Sequence, residues 1–324
     1  MKTIQFEKAG PPAEVLFVHE SAVPKPSKGE LLVKVIAAPV NPSDLSFVHG
    51  RYGLRPELPS AAGFEGVGTV EAVGEGVEIP VGSRVSFTTI GSWSEYALVN
   101  HRAVIPVPDQ LSDQVAAQLF VNPFTAYAMV EESGVQPGEW LMITACGSAY
   151  GKLVIQLCRK KGIRTIGTVR RDDLNEELKR LGLDEVINTE TEKLPARVRE
   201  ITGGTGVKCV VDAVGGHLTE EAMKCLGQNG LLLIFGLLSA QNPRLDVGLM
   251  IFKELTVKGF WLSEWMRKVD AATRAQVAGN VIGWLVSDEV SLPVEATYGL
   301  DEIVKAVEHA DKPGRWGKIL LQLS

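Results

Sequence analysis

One short stretch of the chain decides its fold: Ala145-Cys146-Gly147-Ser148-Ala149-Tyr150-Gly151. An apolar run at 140–144 leads into this turn of small residues, and an apolar-periodic segment at 152–161 leads out of it. A second apolar run follows at 165–169. Strand, tight turn, helix and strand, in that order, form the unit that places a dinucleotide pyrophosphate at a helix N-terminus. The stretch therefore predicts a nucleotide-binding domain.

The second apolar run ends directly on two arginines, Arg170 and Arg171. An acidic residue at this point would bind the ribose 2′-hydroxyl of NAD, whereas arginine suits the 2′-phosphate of NADP. We therefore expect NADPH as the cofactor and hydride transfer as the chemistry. The alternative interpretations are a tight turn without a ligand and a solvated pair of arginines. Asp172 and Asp173 are predicted to be N-caps of the next helix rather than ribose ligands.

From Trp140 onward, predicted strands alternate with predicted helices. The strands are 140–144, 164–169, 185–188, 208–212, 230–235 and 255–260, and the helices between them are 151–161, 174–182, 194–202, 218–227 and 247–252. Six strands with short helical crossovers indicate an α/β fold with a doubly wound parallel sheet, the Rossmann arrangement. The glycine-rich loop at 203–206 follows a helix and precedes a strand, which is the wrong polarity for phosphate capture, so it is predicted to be a plain turn.

The pattern before residue 120 is different. Short alternating runs, separated by glycine and proline clusters, lie at 2–6, 15–19, 30–38, 65–73, 84–87 and 96–100. They indicate a small β-barrel-like domain. A last strand at 318–322 needs a sheet to join, and we expect it to return to this domain. The predicted domains are therefore a catalytic domain of residues 1–121 and 265–324 and an inserted nucleotide-binding domain of residues 122–264, with substrate in the cleft between them.

Composition excludes several classes of function. Of the 324 residues, 45% are apolar and 22% are charged, as in a soluble protein with a full core. The net charge of −6 argues against nucleic-acid binding. No apolar run reaches membrane-spanning length, and the N-terminus lacks the pattern of a signal peptide. Cysteines 146, 158, 209 and 225 have neither metal-site spacing nor a disulfide framework, so we expect a reducing, cytoplasmic location.

Over essentially its whole length, the chain resembles the medium-chain dehydrogenase/reductase superfamily, in which a Rossmann domain is inserted in a GroES-like β-barrel domain. Zinc alcohol dehydrogenases of that superfamily carry Gly-His-Glu, with a ligand cysteine upstream. The corresponding residues here are Gly63-Phe64-Glu65-Gly66 and Asn41-Pro42-Ser43-Asp44. Phenylalanine cannot bind zinc and the cysteine is missing, so we expect no catalytic metal. Glu65 is expected to be an exposed or internally hydrogen-bonded strand residue, and Asp44 to bond the loop backbone.

Two zinc-free branches are similar to the chain, the 2-enoyl thioester reductases and the quinone oxidoreductases. Segments that resemble the first branch are 41–44, 50–59, 121–127 and 251–263. This resemblance implies an NADPH-dependent enzyme of fatty acid metabolism that reduces the carbon–carbon double bond of trans-2-enoyl thioesters. The alternatives are a quinone or enone reductase and a non-catalytic nucleotide-binding protein. The sequence leaves open whether coenzyme A or an acyl carrier protein presents the acyl group.

Tyr52 matches the tyrosine that the thioester reductases use as proton donor. It lies between Gly50 and Gly53, in a loop that suits a residue at the edge of a cleft. A tyrosine hydroxyl is protonated at neutral pH and can protonate a strongly basic enolate. From the local sequence alone, a loop tyrosine that only packs is the alternative.

The resemblance also assigns the cofactor contacts. They lie at the start of the nucleotide domain, in the phosphate turn, at the 2′-phosphate clamp, in a loop under the nicotinamide, in a segment closing over it and on the terminal strand: Asn122, Gly147, Ser148, Ala149, Tyr150, Arg170, Arg171, Phe235, Gly236, Leu237, Leu238, Phe260, Trp261, Leu262 and Lys318. Two residues depart from the pattern, because Ala149 replaces a glycine and Tyr150 replaces a small apolar residue.

The strand at 255–260 comes last in the predicted parallel sheet. An exposed sheet edge is a liability in water, since it can pair with other chains. Pairing two such edges across a two-fold axis removes the liability. The sequence therefore predicts a homodimer.

Overall fold

The computed structural model describes residues 1–323. Its strands, in chain order, are β1 Lys2–Phe6, β2 Phe17–Glu20, β3 Glu30–Pro39, β4 Ser60–Ala61, β5 Glu65–Val73, β6 Arg84–Thr88, β7 Tyr96–Asn100, β8 Val104–Pro106, β9 Trp140–Ile143, β10 Arg164–Val169, β11 Glu185–Asn188, β12 Val207–Asp212, β13 Leu226–Ile234, β14 Thr256–Gly259, β15 Val294–Gly299 and β16 Lys318–Gln322.

The α-helices are α1 Pro12–Val15, α2 Pro42–Val48, α3 Asp113–Ala116, α4 Val121–Glu132, α5 Ala149–Lys160, α6 Asn175–Leu181, α7 Leu194–Ile201, α8 Gly216–Lys224, α9 Val247–Phe252, α10 Leu262–Lys268, α11 Ala271–Val286 and α12 Ile303–Asp311. Within residues 1–323, no helix combines the length and apolar character needed to cross a membrane.

The chain divides into two compact units. The first unit comprises Met1–Val121 and the described part of Val281–Ser324, and the second comprises Asn122–Asn280. The sequence placed the second boundary after residue 264. Residues 265–280, most of which are in α10 and the first part of α11, group with the second unit instead.

The second unit contains one six-stranded sheet in the order β11-β10-β9-β12-β13-β14. Every neighbouring pair in it is parallel, which confirms the doubly wound α/β fold. The strand order reverses between β9 and β12. In open parallel sheets a ligand binds at such a reversal, outside the carboxyl ends of the strands. The phosphate turn follows β9 directly, so the sheet places it at that point.

Most predicted boundaries in this unit shift by one or two residues, and two of the differences have a clear local reason. Strand β13 begins at Leu226, within a range that the sequence predicted to be helix. The predicted helix was too long because Cys225 and Leu226 continue the apolar periodicity of α8. Helix α6 begins at Asn175, and its N-cap residue provides no side-chain hydrogen bond. The prediction that aspartates cap this helix is therefore wrong. The glycine-rich loop at 203–206 does connect a helix to a strand, as predicted.

In the first unit, β2-β1-β4 form a three-stranded sheet and β15-β16-β3-β5-β6-β8 form a larger sheet, in which β7 also pairs with β3. Strand β16 lies between β15, to which it is parallel, and β3, to which it is antiparallel. The last strand thus joins the N-terminal strands, as expected. Buried side chains such as Phe6, Phe47 and Trp93 form the core beneath α2 and α12.

Candidate functional site

The phosphate turn consists of residues 144–151, which connect β9 to α5 and include the first three residues of α5. Ser148 is the N-cap of α5, and its Oγ accepts a hydrogen bond of 3.0 Å from the backbone N–H of Gly151. Gly151 cannot carry a side chain, because a Cβ there would lie 2.6 Å from Cys146 Cα. The first turn of a helix presents N–H groups that have no acceptor within the helix. A backbone of this shape fits a pyrophosphate group.

Asp212, the last residue of β12, binds the start of the phosphate turn that follows the neighbouring strand β9. Its carboxylate accepts hydrogen bonds from Thr144 Oγ1 at 2.6 Å and from Thr219 Oγ1 at 2.5 Å. It also accepts hydrogen bonds from the backbone N–H groups of Val214 and Gly215. Since Thr144 opens the phosphate turn, this buried aspartate fixes where the turn begins.

Tyr150 is buried within the second unit. Its hydroxyl lies 3.0 Å from Met129 Sδ, and its ring centroid lies 4.2 Å from that of Phe235. Burial raises the pKa of Tyr150 well above its ordinary value. The side chain is therefore a packing group between α4 and the end of β13, and only the backbone of Tyr150 belongs to the turn.

Arg170 and Arg171 directly follow β10, and both are exposed. Arg171 Nη2 lies 3.1 Å from Asp173 Oδ2. Asp172 Oδ1 accepts a 3.0 Å hydrogen bond from Asn188 Nδ2, at the end of β11. Asp172 is therefore engaged by the neighbouring strand, while the two guanidinium groups lie at the carboxyl end of β10, where a 2′-phosphate clamp is expected.

The other predicted cofactor residues of the second unit fall in three places. Asn122 is the second residue of α4. Residues 235–238 follow β13, and Phe235 and Leu238 donate backbone hydrogen bonds to Asp212 and Ala213 at the end of β12. Residues 260–262 follow β14, and the backbone N–H of Phe260 donates to the carbonyl of Ile234. The chain after β13 is thus bonded to the end of β12, and the chain after β14 is bonded to the end of β13.

Tyr52 lies in the first unit, in the loop after α2, and is half-buried. Its ring centroid is 5.3 Å from that of Phe64, at an interplanar angle of 34°. The backbone N–H of Arg51 donates to the carbonyl of Ser46 and anchors the start of the loop. His49 ends α2 nearby, and burial, followed by the charge of Arg51, lowers its pKa.

The first unit also contains a buried cluster of polar residues that sequence reasoning did not assemble: Asn41, Asp44, Glu65 and Lys318. Asn41 Nδ2 donates to Glu65 Oε1 at 2.8 Å, and Lys318 Nζ donates to Asn41 Oδ1 at 2.6 Å. The backbone N–H of Asn41 donates to Asp44 Oδ2 at 2.7 Å, as expected for Asp44. In the structure, Lys318 is thus engaged within this cluster, a contact that the resemblance did not imply.

Glu65 connects this cluster to the start of α4. Its Oε2 accepts hydrogen bonds from the backbone N–H groups of Phe120, at 3.1 Å, and Val121, at 2.9 Å. An anionic acceptor at the first turn of a helix is stabilising, because it satisfies N–H groups and complements the helix dipole. Of the two roles expected for Glu65, the structure shows the internally hydrogen-bonded one.

Burial controls the protonation of the cluster. Burial, together with the smaller effect of the nearby Glu65 charge, raises the pKa of Asp44 to about 8. Burial also raises the pKa of Glu65. It lowers the pKa of Lys318 to about 8. Because each charged form loses hydration in the interior, the cluster takes up protons on the two carboxyls and gives one up at Lys318 more readily than the same groups do in water.

These shifts predict how stability depends on pH. The folded state holds a proton on Asp44 up to about pH 8, whereas the unfolded chain releases it near pH 4. The contribution of this pKa difference to the free energy of unfolding is complete below pH 4. It decreases by up to about 1.4 kcal/mol per pH unit as the pH rises, and it is lost once the pH has passed 8. The change at Lys318 lies above pH 8, so it does not alter this slope.

We therefore expect Asp44→Asn to reduce the fall in the free energy of unfolding between about pH 5 and pH 8. Urea unfolding across this range measures the slope. Asp109→Asn, at an exposed carboxylate, is the matched control and should leave the slope unchanged. Equal slopes for wild type and Asp44→Asn would contradict the assignment.

Phe64 occupies the position at which the zinc enzymes carry histidine, and its ring packs against Phe47 and Tyr52. In the part of the chain that the structure describes, no group of three or more histidine, cysteine, aspartate or glutamate side chains could hold a metal ion. All four cysteines are free and buried.

Sequence comparisons agree with this architecture. Residues 27–109 match the family described as "Alcohol dehydrogenase GroES-like domain", and residues 149–277 match "Zinc-binding dehydrogenase". The mitochondrial enoyl-[acyl-carrier-protein] reductase of Caenorhabditis elegans is 35% identical over 93% of this chain and 88% of its own length. The human enzyme of that name is 32% identical over 97% of this chain and 86% of its own length. The chain belongs to the medium-chain dehydrogenase/reductase superfamily.

Solved structures of this superfamily have the same fold. A putative NADPH:quinone reductase from Bacillus thuringiensis superimposes with a TM-score of 0.94 at 33% identity, covering 99% of this chain and 98% of that one. The Escherichia coli quinone oxidoreductase, solved in complex with NADPH, gives 0.93 at 28% identity, covering 99% and 100%. As a superfamily member, the chain is an oxidoreductase, and its GroES-like and parallel-sheet parts are as predicted.

Proposed function

We propose that this oxidoreductase uses NADPH to reduce the carbon–carbon double bond of trans-2-enoyl thioesters. The observation that supports this substrate class is the position of Tyr52. Its aromatic hydroxyl lies on a loop whose first residues are anchored by backbone hydrogen bonds. Reduction of an alkene ends with protonation of a carbon, so it needs an acid at that place. The similarity to enoyl-[acyl-carrier-protein] reductases supports the same substrate class.

The residues of the second unit have the chemistry to hold NADPH. The phosphate turn, with Ser148 at the N-cap of α5, would hold the pyrophosphate, and Arg170 and Arg171 would hold the 2′-phosphate. When bound, NADPH supplies the hydride that is added to the β-carbon.

Tyr52 would complete the reduction of the double bond. Its hydroxyl gives a proton to the α-carbon, where the electron pair of the broken π bond forms the new C–H bond. The tyrosinate left behind then recovers a proton from solvent. A phenol with an ordinary pKa of about 10 keeps its proton at neutral pH until the strongly basic enolate forms.

Reduction of quinones or enones is the second candidate function. The observation that favours it is the match to structures described as NADPH:quinone reductase and quinone oxidoreductase. A quinone accepts its protons on oxygen, where water can supply them, and so does not need a donor at Tyr52.

One assay separates the two functions. NADPH oxidation is followed with crotonyl-coenzyme A and with a simple quinone, side by side and at equal enzyme concentration. We expect turnover of the thioester. Rapid quinone reduction together with no thioester reduction would overturn the proposal and favour the second function. A crotonyl group on acyl carrier protein, as a third substrate, tests which carrier presents it.

We also propose that the chain forms a homodimer through the edge of β14. This strand is the last in its sheet, and the adjacent helix α9 exposes Val247, Ile251 and Phe252, the last of these by 82%. Large apolar groups with this exposure mark interaction surfaces. Pairing two β14 edges would cover both the unpaired strand and this apolar surface.

The dimer prediction is tested by sedimentation. Wild type should sediment with twice the chain mass of 35.0 kDa, and Phe252→Glu should shift the equilibrium toward monomer. Val81→Glu, which places the same charge at an exposed apolar residue of the first unit, should leave the mass unchanged. A wild-type monomer at every concentration would rule out the dimer.

A further inference from the structure

Tyr52 is the outermost member of a row of four aromatic rings in the first unit. Phe64 lies 5.3 Å from Tyr52, Phe47 lies 5.1 Å from Phe64, and Phe6 lies 5.8 Å from Phe47, measured between ring centroids. Phe6 and Phe47 are fully buried, whereas Phe64 and Tyr52 are partly buried. The row therefore runs from the rigid core to the loop that carries the tyrosine hydroxyl.

The backbone at Phe64 is held firmly. Gly63, which precedes it, has φ +92°, and a Cβ there would lie 2.4 Å from Trp93 Cδ1. The carbonyl of Gly63 accepts a hydrogen bond from Gly91, and that of Phe64 accepts one from Thr89. Phe64 thus projects from a fixed point, with its ring packed against Phe47 behind it.

The loop that carries Tyr52 is held differently. Its start is anchored by the backbone bonds of Gly50 to Phe47 and of Arg51 to Ser46. Beyond that point, the chain from Gly53 to Leu58 contains no helix or strand. A tyrosine side chain has two soft torsions, and a ring packed against one face removes much of that freedom. The contact with Phe64 is therefore a means of fixing where the Tyr52 hydroxyl lies.

We propose that Phe64 is a positioning residue that holds the Tyr52 ring for proton delivery to the α-carbon. This inference rests on the proposed function, because it concerns the step that only thioester reduction requires. Phe64 itself does no chemistry. It acts by limiting the orientations of the donor, and a donor misplaced by about 1 Å can lose about 100-fold in rate.

Three substitutions at Phe64 distinguish the effect of a planar ring from the effect of side-chain volume. Phe64→Ala removes the ring, Phe64→Leu retains apolar volume without a flat face, and Phe64→Tyr retains the flat face. We expect kcat for crotonyl-coenzyme A to fall by about 10- to 100-fold in Phe64→Ala, by less in Phe64→Leu, and to recover in Phe64→Tyr. Quinone turnover and the Kd for NADPH should remain close to wild type in all three variants.

A spectroscopic readout follows Tyr52 without any substrate. The chain has five tyrosines, so fluorotyrosine labelling gives few resonances, and loss of a signal in Tyr52→Phe identifies that of Tyr52. A neighbouring aromatic ring shifts this resonance. It should therefore move in Phe64→Ala and Phe64→Leu and return toward its wild-type position in Phe64→Tyr. Phe17→Ala, at an exposed phenylalanine on β2, is the matched control for loss of a ring and should change neither the resonance nor kcat.

Each outcome decides the inference. A Tyr52 resonance that is the same in all variants would overturn it, as would an unchanged kcat for the thioester in Phe64→Ala. An equal loss with thioester and quinone would also overturn it, because that pattern indicates general damage to the fold. A wild-type chain inactive on enoyl thioesters would overturn the proposed function and, with it, this inference. An active wild type with an unmoved resonance would overturn the inference alone.

Discussion

Tyr52→Phe should lower the turnover of crotonyl-coenzyme A by about 10²–10⁴-fold, the usual contribution of a positioned general acid. The substitution removes one hydroxyl and keeps the ring that packs against Phe64. The Kd for NADPH should therefore change little, and kcat should carry the loss. Steady-state kinetics with the thioester, together with fluorescence titration of NADPH, separate the two quantities.

Quinone reduction by the same variant provides the internal control. It should proceed at nearly the wild-type rate, because no carbon needs protonation. Tyr96→Phe, at a half-buried tyrosine on β7, is the matched substitution and should affect neither substrate. A Tyr52→Phe enzyme that retained its full rate on the thioester would exclude an essential donor role for Tyr52.

Replacing both Arg170 and Arg171 by alanine should weaken NADPH binding by about 10²–10⁴-fold, since each charge-assisted hydrogen bond to a phosphate contributes about 1.5–3 kcal/mol. NADH lacks the 2′-phosphate, so its affinity should be nearly unchanged. Direct titration of both cofactors against wild type and the double variant gives the two ratios.

Salt dependence and a control arginine sharpen this prediction. The wild-type preference for NADPH should decrease as ionic strength rises, because both guanidinium groups are exposed. Arg199→Ala, an exposed arginine on α7 of the same unit, should not alter the preference. If the double variant lost affinity for NADH by the same factor as for NADPH, the result would contradict binding of the 2′-phosphate by the two arginines.

The sequence predicted the second unit well because its local signals agree with one another. Each buried strand is an apolar run. A turn of small residues between such a strand and an apolar-periodic helix indicates a nucleotide-binding domain. The less accurate boundaries are those where local patterns mislead. Apolar periodicity continued past Lys224 into a strand, and Asp172 bonds Asn188 on the next strand instead of capping α6.

The polar cluster of the first unit could not be predicted in the same way. Lys318 and Asn41 are 277 positions apart, and Asn41 and Glu65 are 24 apart. No periodicity or spacing indicates that such residues meet, because only the sheet topology brings β5, β16 and the start of α2 together. The local signal that existed was Asn41 to Asp44, where an asparagine, a proline and an aspartate begin a helix, and it indicated only the backbone bond of Asp44.

The position of β16 between β15 and β3 has a consequence for how the chain folds during synthesis. Residues 122–280 are continuous, so a ribosome delivers the whole second unit before it makes β16. Strand β7 can pair with residues 30–34 of β3 before then, but residues 37–39 of β3 await a partner that is translated much later. Contacts between residues so distant in sequence form slowly, and unpaired strands are where nascent chains associate wrongly. The first unit therefore completes its larger sheet only after the second unit has been made, although most of its strands precede that unit in the chain.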